Sequence, residues 1–205
     1  MSVPMHEHYY TEQPQTPSQL TEITATLRGE RYRFLTDTGV FSRRQVDQGT
    51  ALLIEVMEIP EHGTLLDMGC GYGVIGIVAA RLSPSSRVVM VDINRRAVQL
   101  AQENIRRHRL ANAEVRHGDG FSAVRGLTFD AIYMNPPVRA GKQLVFQLYE
   151  ASWRHLVPGG QLWIVIQKKQ GAPSTESHLQ HVFGSEAVEQ VARRKGYHVF
   201  RCKKV

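Results

Sequence analysis

Beyond residue 63, short apolar runs alternate with stretches of helical spacing, and this alternation constrains the fold more than any other feature. TLLDM (64–68), RVVMVD (87–92), FDAIYM (129–134) and QLWIVIQ (161–167) are brief, apolar and bounded by polar or turn-forming residues, as buried strands are. AEVRHGD (113–119) reads as a further strand and turn. VIGIVAARL (74–82), RRAVQLAQENIRRHRL (95–110) and QLVFQLYEASWRHL (143–156) repeat their apolar residues at helical intervals, and SPSS and PGG stop the first and third. A helix follows over 174–183, and EAVEQVARR and YHVFRCKK flank Lys195-Gly196 as a terminal hairpin. Strands that are apolar throughout need cover on both faces, and helices inserted between parallel strands supply it. The expected fold is α/β, a doubly wound and mostly parallel sheet.

The first quarter of the chain has a different period. Ile23, Ala25 and Leu27, then Tyr32 and Phe34, alternate with polar residues around Arg28-Gly29-Glu30-Arg31, which predicts a β-hairpin within residues 20–36. TDTGVFSRRQ (36–45) is a loop. VDQGTALLIEVMEI (46–59) returns to helical spacing, with Leu52, Leu53, Val56 and Met57 on one face. Residues 1–19 hold three of the nine prolines among Gln, Thr and Ser, so a flexible arm is expected there, with His6 and His8 as tail residues rather than metal ligands. One domain is expected over 20–205, its hairpin and loop over 20–45 and its core over 46–205.

Composition narrows the partners. The chain is 42% hydrophobic and 21% charged, an ordinary globular balance. No apolar run approaches 18 residues, and the N-terminus lacks the basic and apolar regions of a signal peptide, so neither a membrane span nor secretion is expected. Cys70 and Cys202 lie far apart, which gives no metal spacing and suits a reducing cytoplasm. A net charge of +6 favours an anionic partner such as nucleic acid. The clusters at Arg106–Arg109, at Arg193–Lys195, and at Arg201, Lys203 and Lys204 suit RNA, and they equally suit a solvated helix face and a charge-guarded edge strand.

LLDMGCGYGVIG (65–76) joins the first apolar strand to the helix after it. Gly69, Gly71 and Gly73 permit a tight turn and close approach of backbone to a ligand. Ligands of such sheets sit beyond the carboxyl ends of the strands. Gly71-x-Gly73-x-x-Gly76, with Asp92 ending the next strand, matches the dinucleotide fingerprint of an NAD enzyme. Asp67 weighs against it. A carboxylate there suits a cationic α-amino group and repels a pyrophosphate, which favours S-adenosylmethionine; the plainer role for Asp67 is to cap the strand end. Asp92 suits the ribose of either ligand. Asp119 in HGDGF can accept from an adenine amino group, with Phe121 against the ring, or it can be a turn residue bonding its own backbone.

The apolar run FDAIYM leads into NPPVRAGK (135–142). Two prolines end the strand and hold the backbone stiff. In a parallel sheet this end opens beside the glycine loop, so Asn135 should face the cofactor. An amine on an aromatic ring attacks a methyl group poorly, because its lone pair is delocalised. Two neutral acceptors on its two N–H groups, the Asn135 side-chain oxygen and the Pro136 carbonyl, would draw the nitrogen toward tetrahedral geometry. Pro136 and Pro137 would keep reorganisation small.

DMGCGYG, VDIN, GDGF and NPP together resemble the motif series of class I S-adenosylmethionine-dependent methyltransferases that act on exocyclic or amide nitrogen. NPPVRAGK, with TDTGVFSRRQVDQGTALL and LWIVIQKKQGAPS, is similar to the small-domain, RsmC-like family of 16S rRNA guanine-N2 methyltransferases. The resemblance runs from about Tyr9 to the C-terminus. It implies a seven-stranded Rossmann-like sheet with an antiparallel last strand. It implies Asp67, Gly69, Gly71 and Gly73 around the methionine part of S-adenosylmethionine, Asp92 on the ribose, Asp119 on the adenine amine, and Asn135 and Pro136 on the target amine of an RNA.

Two departures stand out. Val138 follows NPP where many amine methyltransferases have an aromatic residue, so stacking on the base would fall to another side chain, with Phe41 in GVFS the candidate. Proteobacterial RsmC proteins have two related halves, and this chain has one, so a monomer and a homodimer are both open. Arg139, Lys142, Lys168 and Lys169 fall in loops at the carboxyl edge, where cations suit RNA phosphates. Methylation of adenine N6 or of a protein glutamine amide, an NAD-dependent oxidoreductase, and a non-catalytic RNA-binding module remain as alternatives.

Overall fold

The computed structural model describes Glu12 and residues 16–205. His6, His8 and most of the expected arm lie outside the described residues. At the arm's described end, Ser18 Oγ and the Gln19 N–H both donate to Asp37, and Glu12 pairs with Arg95.

The described residues form nine strands and five α-helices: β1 (Thr21–Leu27), β2 (Glu30–Thr36), α1 (Gln48–Val56), β3 (Gly63–Met68), α2 (Val74–Leu82), β4 (Ser86–Asp92), α3 (Arg95–Arg107), β5 (Ala113–His117), β6 (Phe129–Met134), α4 (Lys142–His155), β7 (Leu156–Gln167), α5 (Ala172–Phe183), β8 (Val188–Arg194) and β9 (Tyr197–Lys203). β1 and β2 pair as an antiparallel hairpin, and the other seven strands form one sheet in the order β5-β4-β3-β6-β7-β9-β8. β5, β4, β3, β6 and β7 run parallel, and β9 runs antiparallel to both its neighbours. The doubly wound sheet and its antiparallel last strand are therefore as expected.

Each apolar strand divides its residues between two cores, because successive side chains point to opposite faces. Leu65, Val88, Met90, Tyr133, Trp163 and Val165 pack on the side of α1, α2 and α3. Leu66, Val89, Val91, Ile132, Met134, Ile164 and Ile166 pack on the side of α4 and α5. Burying each such side chain contributes about 1.5–3 kcal/mol. The hairpin joins the first core through Tyr32 and Phe34, both fully buried. Its turn uses left-handed backbone at Arg28 and Gly29, and the Arg28 guanidinium donates to the Ile54 and Met57 carbonyls at the end of α1.

Several element boundaries differ from the sequence expectations: α1 is shorter than 46–59 and α3 ends at Arg107 rather than at 110, and two differences have a clear cause. α5 starts at Ala172, two residues early, because Pro173 suits a first helical turn. β7 starts at Leu156 and runs through Pro158-Gly159-Gly160 with a register irregularity against β6, so the PGG expected only as a stop is partly strand. No helix among the described residues is long and apolar enough to cross a membrane.

Candidate active site

A cavity of about 380 Å³ lies at the carboxyl ends of β3, β4, β5 and β6. Gly69, Cys70 and Gly71 form one wall, Asp92 and Ile93 another, Asp119 and Gly120 a third, and Asn135, Pro136 and Pro137 a fourth. The loop at Val40, Phe41 and Ser42, with Asp47 and Thr50 at the start of α1, closes the opposite side.

The glycine loop has the shape its sequence requires. Gly69, Gly71 and Gly73 have φ of 73°, 57° and 94°, left-handed values that a side chain makes costly. At Gly69 and Gly71 an added Cβ would enter open space. The Gly69 and Cys70 N–H groups donate to the Val91 carbonyl, which fixes the loop to the end of β4. Gly73 starts α2 and does not line the cavity; its own N–H donates to the Cys70 carbonyl.

Asp92 holds the loop from the side. One carboxylate oxygen accepts the Gly71 N–H at 2.8 Å and the other the Asn94 N–H at 2.8 Å. Burial pushes its pKa up, opposed by these hydrogen bonds and by His117. Asp67 lies below the loop, outside the cavity lining and only 1% exposed. Its Oδ2 accepts the Gly76 N–H at 2.8 Å, at the start of α2, and its Oδ1 is buried without a hydrogen-bond partner. Burial pushes the Asp67 carboxyl up to about 7; the Gly76 N–H opposes this and Asp92 adds to it.

Asp119 is exposed and lines the rim, and it makes no side-chain cap to the helical turn it precedes, so its carboxylate is not spent on a local backbone bond. Phe121 does not line the cavity. It is buried in the second core with its ring 4.5 Å from His155. The side chains of Ile93, Leu144 and Leu148 provide the apolar wall instead.

Asn135 ends β6. Its Nδ2 donates to Thr50 Oγ1 at 2.9 Å and to Asp47 Oδ2 at 3.2 Å. The Pro136 carbonyl accepts the Val138 N–H at 2.8 Å, which leaves it one further lone pair. Phe41 lines the mouth and is 37% exposed. Arg139 lies on the short helical turn after Pro137 and Lys142 opens α4; both are exposed outside the cavity lining, and Lys142 Nζ sits 5.1 Å over the Phe146 ring. Lys168 and Lys169 are exposed beyond β7.

The structure therefore brings Gly69, Gly71, Asp92, Asp119, Asn135, Pro136, Pro137 and Phe41 to one cavity and sets Asp67, Gly73 and Phe121 behind its walls. Three residues that shape the cavity were not singled out from sequence. Asp47 and Thr50 hold Asn135 across a separation of more than 80 residues. Asn94, the second residue after Asp92, caps α3 through the Arg96 and Ala97 N–H groups and donates to the Gly39 carbonyl, which fastens the closing loop. The x-D-x-N spacing carried a signal for Asn94; nothing local marked Asp47 and Thr50.

Among the described residues, the lining contains Asp47, Asp92 and Asp119 and no Lys, Arg or His. A pyrophosphate would meet only carboxylates there. A ligand with an ammonium and a sulfonium would meet complementary charge. The open space above Gly69 and Gly71 fits the methionine end of such a ligand, and Asp67 lies behind that wall with one buried oxygen that no described residue bonds.

Relatives agree with the geometry. An uncharacterized protein of Bacillus subtilis, YbxB, is 44% identical over 203 residues, covering 98% of this chain and all of that protein. Ribosomal RNA small subunit methyltransferase C of Pasteurella multocida is 38% identical over 155 residues, covering 73% of this chain and 45% of its own length. A solved structure of the Thermus thermophilus 16S rRNA N2 G1207 methyltransferase RsmC, in complex with AdoMet and guanosine, superposes with a TM-score of 0.82 at 26% identity, covering 94% of this chain and 52% of that one. The chain thus spans about half the length of these RsmC relatives. Residues 31–201 match the methyltransferase small domain, so a sheet whose strand ends converge on an acid-lined cavity and an Asn-Pro-Pro edge belongs, in this chain, to the methyltransferase small-domain family.

Proposed function

We propose that the protein binds S-adenosylmethionine in this cavity and transfers its methyl group to the exocyclic N2 of a guanine in 16S rRNA. The observation that carries the reading is the cavity's charge. Among the described residues its acidic side chains are Asp47, Asp92 and Asp119 with no basic side chain beside them, and a neutral Asn-Pro-Pro edge closes it. The RsmC relatives support the nucleobase, and the net charge of +6 supports an RNA partner.

When bound, S-adenosylmethionine supplies an electrophilic methyl group. Asp92 orients the ribose and Asp119 the adenine amine, each by accepting hydrogen bonds. Asp67 attracts the α-amino group through its free oxygen. Asn135 Oδ1 and the Pro136 carbonyl accept the two N–H groups of the target amine, which localises the nitrogen lone pair toward the cavity. No base needs to act first, because the proton leaves after nitrogen has gained the methyl group. Cys70 lines the cavity but is no nucleophile, since burial holds its thiol far above the usual range. Phe41 is positioned at the mouth for stacking on a base turned out of its RNA. Arg139 and Lys142 supply charge for the flanking phosphates.

The test is methyl transfer from labelled S-adenosylmethionine to unmodified 16S rRNA and to small ribosomal subunits, with digestion to nucleosides. The expected product is N2-methylguanosine, lost in Asn135→Ala. Label in N6-methyladenosine or in protein would keep the transfer and discard guanine. Full activity in Asn135→Ala would remove the proposed catalytic edge.

A further inference from the structure

For this reading to work, Asn135 must present its oxygen to the amine. A half-turn of the side chain would present NH2 instead, and the two groups are nearly the same in shape. The neighbours of Nδ2 decide between them. Asp47 Oδ2 lies 3.2 Å away and Thr50 Oγ1 2.9 Å away. A carboxylate only accepts hydrogen bonds, so it binds the amide NH2 and repels the amide oxygen. Asn135 Oδ1 takes no hydrogen bond from any described residue.

Asp47 is itself fixed. It is the N-cap of α1, with Oδ2 accepting the Thr50 N–H at 3.0 Å, and the Tyr197 hydroxyl of β9 lies 3.4 Å from Oδ1. The close fit depends on Gly49. A Cβ there would come within 2.7 Å of the Tyr197 ring and 2.9 Å of Asp47 Oδ2. The start of α1, the end of β6 and the first residue of β9 thus converge on one amide group.

We infer that Asp47 and Thr50 are positioning residues: they lock the Asn135 amide with its oxygen toward the target amine, and the charge of Asp47 polarises that amide so that Oδ1 accepts more strongly. A bond from an amide to an ionised partner is short and strong, and it draws electron density toward the far oxygen. No atom of Asp47 or Thr50 needs to touch the substrate. The inference rests on the Asn135 role proposed above and names what makes that role possible.

The experiment compares Asp47→Ala, Asp47→Asn, Thr50→Val and Asn135→Ala for kcat, for the Kd of S-adenosylhomocysteine and for Tm. Asp47→Ala should lower kcat about 100-fold, the effect of a misplaced catalytic group, with a much smaller change in the Kd of S-adenosylhomocysteine. Thr50→Val keeps the cap and should lower kcat about tenfold, since its loss leaves one anchor of two. Asp47→Asn keeps an acceptor for the cap but loses the charge and can donate to a turned amide, so it should recover the Tm lost in Asp47→Ala and only part of the kcat. A second readout needs no substrate. The Asn135 side-chain NH2 should give a downfield, exchange-protected pair of proton resonances in the wild type and lose protection in Thr50→Val. If Asn135→Ala abolishes turnover while Thr50→Val and Asp47→Ala lower only Tm, Asp47 is a helix cap and the inference is overturned, with the functional proposal intact. If Asn135→Ala keeps wild-type kcat, the functional proposal falls first. A solvent-exchanging Asn135 amide in the wild type also overturns the inference.

Discussion

Replacing Asp67 by Asn should make the protein more stable and its cofactor binding weaker, and the pH dependence of both effects can be worked from one buried carboxyl. Its pKa is pushed to about 7 from a usual 3.8. The unfolded chain therefore ionises Asp67 before the folded one does, and folded stability falls as pH rises from about 4 to 7. A rise of roughly three units corresponds to ~4 kcal/mol lost at and above neutral pH, at 1.36 kcal/mol per unit. Asn removes that loss but puts an NH2 where the unpartnered Oδ1 lies, which costs about 1–3 kcal/mol. The net expectation is stabilisation by ~1–3 kcal/mol at pH 8 and a loss of ~1–3 kcal/mol at pH 4, where only the cost of the NH2 remains. Binding goes the other way. If Asp67 attracts the α-amino group, the cofactor favours its ionised form, and affinity should rise with pH up to about 7 and then level. The Kd of S-adenosylhomocysteine measured by calorimetry from pH 5.5 to 8.5 should show that rise in the wild type and lack it in Asp67→Asn. The ligand's own amine titrates equally against both proteins, so the difference between the curves isolates Asp67. Parallel curves, or a variant less stable than wild type at pH 8, would refute the reasoning.

The hairpin should be more than an ornament on the sheet. Fully buried Asn104 accepts the Leu35 N–H and donates to the Leu35 and Tyr72 carbonyls, so Asn104→Ala leaves three buried groups unpaired and should destabilise by about 3–5 kcal/mol; a Tm within a degree of wild type would contradict this. Gly71→Ala places a Cβ in the open space above the loop at φ +57°, so it should weaken S-adenosylhomocysteine at least tenfold while lowering stability by only ~1–2 kcal/mol. Charge reversal at Arg139 and Lys142 should weaken RNA binding and reduce its salt slope by roughly 0.7–0.9 for each phosphate left without its cation, and an unchanged slope would remove both from the interface. Phe41→Ala should raise the KM for RNA and leave the cofactor Kd unchanged if the ring stacks on the target base.

The fold was readable because its signals are local. Strands such as VVMV and AIYM are apolar on both faces, and that pattern has one economical outcome, a sheet covered twice. The helices between them carry their own period and their own stops. β7 was the exception, since Pro158-Gly159-Gly160 says turn in sequence, while pairing with β6 and β9 and a bond from the Gly159 N–H to the Lys204 carbonyl hold it as strand. Tertiary pairing overrode propensity there.

The site divides along the same line, and the division has a chemical logic. Atoms that meet a ligand through backbone need a particular φ, and glycine announces that in sequence; Gly69 and Gly71 were legible for this reason. Strand-end carboxylates such as Asp92 and Asp119 were legible because the parallel sheet gives every such end the same address. Phe121 shares that address but turns into the core, because the helical turn it lies on packs against α4, with its ring beside His155. Asp47 was invisible for the opposite reason. Its local role, capping α1, is complete in itself, and only the approach of Asn135 from 88 residues away gives the carboxylate a second task. A group that caps one helix and also holds a distant amide is cheap to place and hard to recognise. Its two tasks separate in experiment: loss of the cap appears in Tm, and loss of the amide's orientation appears in kcat.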